Sequence, residues 1–199
     1  MADSDDSRFK AYVDSLEDSL AEFEKAREWA DLISCLQKII KVFETKKFGQ
    51  YTWIPNKLSI TIAKRLAQCL NPGLPGGVHL RTLQVYDIIF RRIGPDLLIK
   101  DLSLFSTGLF PLFQYASTRV KPVLLDLFEQ HFLPLSARLI PALPGLILCL
   151  LPGAVENSEV YSRVLALLHQ IRLATDTSQF MLSVWRCLLF CPQSRLPGV

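Results

Sequence analysis

Histidine is scarce in this 199-residue chain: there are three, at 79, 131 and 169, far apart and within or beside helical segments. A nucleophilic dyad would need them to converge with a reactive group in space, and nothing in their spacing suggests that. The five cysteines, at 35, 69, 149, 187 and 191, are odd in number, form no CxxC and lie among apolar neighbours. They read as reduced, buried thiols rather than a disulfide framework. Cys187 and Cys191 stand one turn apart with His169 the nearest histidine, fewer than the four clustered ligands that zinc usually takes. Also missing are a GxSxG elbow, a HExxH pair and a dinucleotide fingerprint. PGLPGG lacks the Lys-Ser/Thr of a phosphate loop and reads as a helix–helix connection. No metal, cofactor or catalytic residue is therefore expected. Asp126, Glu129 and His131 would matter only if they met a nucleophile in one pocket, and the two acids are expected on a helix surface.

Charge is absent from LIPALPGLILCLLPGAV, the 17 residues 139–155 between Arg138 and Glu156. That length is at the lower limit for a membrane-spanning helix. Prolines at 141, 144 and 152 and glycines at 145 and 153 argue against an unbroken one, and no Lys/Arg cluster fixes an orientation. The stretch is read as a helix covered by its neighbours, with membrane insertion of 139–155 the alternative.

Half the residues are hydrophobic and the net charge is only +3, so a packed core is expected and overall charge gives no reason to invoke nucleic acid. The charge is unevenly spread. Residues 1–28 hold 9 acids and 4 bases (net −5), 29–104 hold 5 and 11 (net +6), and 105–199 hold 5 and 7 (net +2). Lys38, Lys41, Lys46 and Lys47 gather toward the end of one predicted helix, and Arg91-Arg92 end another. Cations favour helix C-termini for the dipole alone. In paired helices, alternate helices end on one rim, so the two clusters are a candidate site for anionic lipid headgroups or an acidic peptide. The opening MADSDDSRFK is acidic and has the pattern of neither a signal nor a transit peptide.

What is present is helical period. Phe9, Tyr12, Val13, Leu16, Leu20 and Phe23 line a first helix, and Trp29, Leu32, Ile33, Leu36, Ile40 and Phe43 a second. KKFGQYTWIPNK breaks the pattern. Leu58, Ile62, Leu66 and Leu70 mark a third helix, ended by NPGLPGG, and Leu83, Tyr86, Phe90 and Ile93 a fourth, closed at Gly94-Pro95. After an apolar, proline-interrupted middle, Tyr161, Val164, Leu165, Leu168 and Ile171 stripe one helix. Thr175-Asp176-Thr177 caps a last one carrying Phe180, Met181, Val184, Trp185, Leu188 and Leu189. No strand alternation is seen. Pairs beginning near 8, 55, 95, 121 and 157 recur every ~37 residues, near the HEAT/armadillo unit. The expected fold is all-α: a right-handed α-solenoid of stacked antiparallel helix pairs over 8–199, after a disordered 1–7. The closing CPQSRLPGV stops on Pro-Gly and reads as the cut edge of a larger chain.

Longer strings go beyond period. EWADLISCLQKI from Glu28, LAQCLNPGLPGGVHLRTLQVYDIIFRRIGPDLLIKDLSLFSTGLFPLFQYA from Leu66, VKPVLLDLFEQHFLPL from Val120 and the closing RLPG resemble the N-terminal region of Dopey proteins. The resemblance implies the N-terminal fragment of a very large non-enzymatic scaffold or adaptor. It would be cytoplasmic and peripheral on Golgi, trans-Golgi network and endosome membranes, serving traffic between them. Implied partners are a large protein related to Arf exchange factors and a phospholipid flippase. Kinesin light chain and phosphoinositide are further ones. The resemblance supplies no residue-level site.

Overall fold

The computed structural model describes the backbone of residues 2–190 and the side chains of 7–189, all helix, turn or irregular chain with no strand among them. The helices are α1 (Ala2–Ala21), α2 (Trp29–Glu44), α3 (Asn56–Cys69), α4 (Gly76–Leu98), α5 (Leu102–Tyr115), α6 (Val120–Leu127), α7 (Leu143–Leu150), α8 (Tyr161–Ala174) and α9 (Thr177–Phe190). α1 starts at Ala2, upstream of its stripe. The chain divides into two compact units, 1–98 and 99–199.

In the first unit the apolar stripes become the core. Tyr12, Leu16, Leu36, Ile39, Ile62, Leu66, Tyr86 and Ile89 are solvent-free, and α2 packs on both α1 and α4. Asp31 opens α2: one carboxylate oxygen accepts the amides of Arg27 and Glu28 at 3.0 and 3.1 Å, which holds its pKa below the usual value. The NPGLPGG loop is tied from both ends. Asn71 Oδ1 accepts the Gly73 amide, and the Asn71 carbonyl lies 2.9 Å from Nε2 of the buried His79. That histidine is a loop anchor. At Gly94 the chain turns sharply inside α4, with φ 69° and ψ 174°, a region essentially closed to residues with a Cβ.

In the second unit α7 packs against α5 and α9. Within 139–155, Leu139, Leu143, Leu146, Ile147, Cys149, Leu150 and Gly153 are buried and only Pro141 is exposed. A Cβ on Gly153 would lie 2.8 Å from both Phe113 and Val164, so glycine lets α5 and α8 approach there. By length and composition Val120–Gly153 is the one described stretch apolar enough to cross a membrane. It is not one regular helix. After α6 come a π turn (Phe128–Phe132) and a 3-10 segment (Leu133–Ala142) before α7, and Ser136 breaks the run with φ 53° and ψ −130°. The π turn places Phe128 and Phe132 with centroids 5.2 Å apart, with Phe110 of α5 against both.

Ser136 is exposed and is the only described non-glycine residue with positive φ. Its conformation costs a side-chain-bearing residue about 1–3 kcal/mol, partly offset because glycine loosens the unfolded chain. Ser136→Gly is therefore expected to stabilise the protein by about 1 kcal/mol, raising Tm by about 2–4 °C in a calorimetric scan. An unchanged or lower Tm would mean that the serine side chain supports this turn.

Candidate basic rim

The sequence-predicted cations separate into different roles, all in the first unit. Lys38, midway along α2, bonds Glu22 in the 3-10 turn after α1 at 2.5 Å, so its charge is matched locally. Lys41, Lys46 and Lys47 are exposed at the end of α2 and in the turn that follows, Lys46–Phe48. The Lys47 ammonium lies 4.6 Å from the centroid of the Phe48 ring. Arg91 is exposed on α4 and pairs with Asp87 one turn back.

Arg92 points the other way and is half-buried. Its Nε donates to the Tyr51 carbonyl at 2.7 Å, Nη1 to the Phe43 carbonyl at 2.5 Å and Nη2 to the Phe48 carbonyl. The guanidinium carbon also lies 5.5 and 5.7 Å from the Phe43 and Tyr12 ring centroids. A helix leaves its last carbonyls without partners inside it, and Arg92 takes the Phe43 one together with one from the 3-10 turn and one from the extended chain after it. One planar fork serves all three segments, a task that needs arginine's donor geometry. Tyr12 completes the cluster beside Phe43, Phe48 and Tyr51. Burial pushes its phenol up to about 12, opposed by the Arg92 charge.

Arg92 thus joins the end of α2 to α4 and brings the two basic segments together, with Lys46 and Lys47 in the turn whose carbonyl it holds. Sequence alone shows Arg91 and Arg92 as equivalent; the structure makes one a surface cation and the other a clamp. Trp53, half-exposed beside this face and stacked on Phe9 at 4.7 Å, carried no sequence-level signal of its place.

The other candidates stay apart. Asp126 and Glu129 lie on α6 and the π turn, as expected on a partly exposed surface, and both bind Arg163 of α8, at 2.5 and 2.7 Å. Arg163 Nη1 also donates to the Pro122 carbonyl, while Glu129 first and Asp126 second raise its pKa further, against the opposing effect of burial. The group is an electrostatic tie between helices. Cys35, Cys69, Cys149 and Cys187 are free and buried, and Cys187 Sγ donates to the Pro144 carbonyl at 3.1 Å. Burial holds the Cys69 thiol at about 12 and pushes that of Cys149 up as well, the reverse of a reactive cysteine. Cys191 lies outside the described residues. Among the described residues no group of three or more His, Cys, Asp or Glu is placed to hold a metal ion.

No solved structure matches the chain. In sequence it is 45% identical to protein DOP1B of Mus musculus over 193 residues, covering 97% of this chain and 8% of that one. It is 41% identical to protein pad-1 of Caenorhabditis elegans, covering 98% of this chain and 8% of that one. Protein DOP1 of Saccharomyces cerevisiae is 34% identical over 77% of this chain and 9% of its own length. The chain thus spans under a tenth of these curated relatives. The family model described as "Dopey, N-terminal" matches residues 6–199, and the chain belongs to that family.

Proposed function

We propose that the chain is a non-enzymatic scaffold or adaptor segment in membrane traffic between endosomes and the Golgi. It would act at the cytoplasmic surface of Golgi, trans-Golgi network and endosome membranes. Its family membership supports this reading, and so does the character of its polar groups, which tie helices together. The helices would stack as a right-handed solenoid of pairs and work by display, with a few anchors on a rigid surface carrying the binding energy. Proposed partners are an Arf-exchange-factor-related protein, a phospholipid flippase, kinesin light chain and phosphoinositide.

The observation that carries a contact with anionic membrane is the rim that Arg92 assembles. Lys41, Lys46 and Lys47 stand exposed around the end of α2, with Arg91 on the adjoining helix. Each lysine or arginine held near an anionic bilayer is worth about 1 kcal/mol. The triple variant Lys41→Glu, Lys46→Glu, Lys47→Glu is therefore expected to lose at least tenfold in binding to vesicles containing phosphatidylserine and phosphoinositide in a flotation assay. Wild-type binding should weaken as salt rises. Arg92 stays intact in this test because its loss would perturb the fold. Equal flotation of variant and wild type removes the rim from the proposal.

A further inference from the structure

Each of the three tryptophans is about half exposed: Trp29 at 55%, Trp53 at 47% and Trp185 at 59%. Their surroundings differ. Trp29 has Glu28 and Asp31 beside it, and Arg186 is the single charged residue on the helix of Trp185. Trp53 stands in a stretch without an acid: from Thr45 to Tyr86 there is no Asp or Glu, against six lysines and arginines. Lys46, Lys47 and Lys57 are exposed on either side of it in the chain. On α3 the exposed Ile60 lies between Lys57 and Lys64, about one turn from each. Lys46, Lys57 and Lys64 form no ion pair with another described residue. The Trp53 ring is held in place by Phe9, which stacks on it at 4.7 Å and lies edge-on to the buried Tyr51. A ring already fixed gives up little conformational entropy on binding.

We infer that Trp53 is an interfacial anchor. On an anionic bilayer its ring enters the boundary between headgroups and hydrocarbon, Ile60 makes a second apolar contact, and the lysines lie on the headgroups around them. The inference rests on the membrane reading of the basic rim and adds an apolar component to it. Tryptophan, apolar in body with one N–H donor, favours that boundary. Lysine stems cover apolar surface while their charges stay in the wet headgroup layer. The exposed cations that bracket Trp53 and Ile60 in the chain are all lysines. A lysine is a point charge and suits mobile headgroups, whereas recognition of a carboxylate favours the fork of arginine. Charge and composition together therefore fit a lipid surface better than an acidic peptide.

Tryptophan fluorescence of the 199-residue chain tests this, with vesicles of phosphatidylcholine and phosphatidylserine whose acyl chains are plain or brominated. Emission is expected to move to shorter wavelength on binding and to be quenched by the bromines. The same holds for Trp29→Phe and Trp185→Phe, and the response is lost in Trp53→Phe. Vesicles of phosphatidylcholine alone give no shift. In flotation, Trp53→Ala binds about tenfold more weakly or worse, since roughly 100 Å² of ring no longer leaves water. That factor persists as salt rises, unlike the contribution of the lysines. Ile60→Ser, which leaves the aromatic cluster intact, weakens binding by about threefold or more. Circular dichroism melts check that both variants fold. Wild-type binding without quenching overturns the anchor and leaves the charge contact of the rim standing, whereas no binding to vesicles overturns both. Quenching retained in Trp53→Phe overturns the anchor by assigning insertion to another tryptophan. A spectral shift with soluble polyglutamate and none with vesicles overturns it too, and gives the face to an acidic protein segment.

Discussion

Arg92→Ala is expected to lower the unfolding free energy by about 3–5 kcal/mol, read from urea denaturation followed by tryptophan fluorescence. Hydrogen bonds to a charged group are worth about 1.5–3 kcal/mol each, and their sum is not additive. Arg92 makes three, to the carbonyls of Phe43, Phe48 and Tyr51, and lies over two aromatic rings. Its removal takes one donor from each carbonyl, the Phe48 one keeping the Tyr51 amide at 3.1 Å, beside the buried Tyr12 and Phe48, where water reaches them poorly. Arg92→Lys separates charge from geometry. An ammonium keeps the cation but cannot span three carbonyls, so it should recover less than half of the loss. Arg91→Ala is the companion: an exposed i,i+4 pair is worth about 0.3–0.5 kcal/mol. If the two alanine variants unfold at the same urea concentration, the clamp does not exist.

The second large effect is expected at Phe128. Phe128→Ala should destabilise by about 3–5 kcal/mol, with Phe128→Leu near 1 kcal/mol. Phe128 and Phe132 are fully buried, and with Phe110 they form a trio whose centroids lie 5.2 to 6.1 Å apart, two of the three pairs edge-to-face. Removing one ring forfeits its burial, two aromatic contacts and the support of the other two rings, and leaves a cavity that the π turn cannot easily close. Xenon or benzene binding to the alanine variant, seen as a rise in Tm, would show that cavity. A loss under 1.5 kcal/mol would mean the site collapses freely.

The regular parts of this fold were readable because one solvated side imprints a period. Leu58, Ile62, Leu66 and Leu70 repeat every fourth residue and all are buried. Asp176 could be read as a cap, and it accepts the Gln179 amide. The period fails where apolar and polar residues do not fall on separate faces. Residues 128–142 hold two prolines and scattered polar residues without a helical stripe, so nothing distinguished an α turn from the π and 3-10 turns found there. Trp29, first in the α2 stripe, is 55% exposed. In α9, Met181, Trp185, Leu188 and Leu189 face solvent while Ser183 and Cys187 face in, since a helix apolar on most sides gives period no purchase. The functional reading suffers the same way. Arg91 and Arg92 are one dipeptide, and only partners about 40 to 50 residues away decide that the second is structural.

That distance also bears on how the polypeptide matures. Phe43 and Arg92 are 49 positions apart. On a ribosome adding about 5–20 amino acids per second, the carbonyl waits on the order of 2–10 s for its donor to be made. Until then the last turn of α2 lacks the side-chain donor that holds its Phe43 carbonyl in the folded chain.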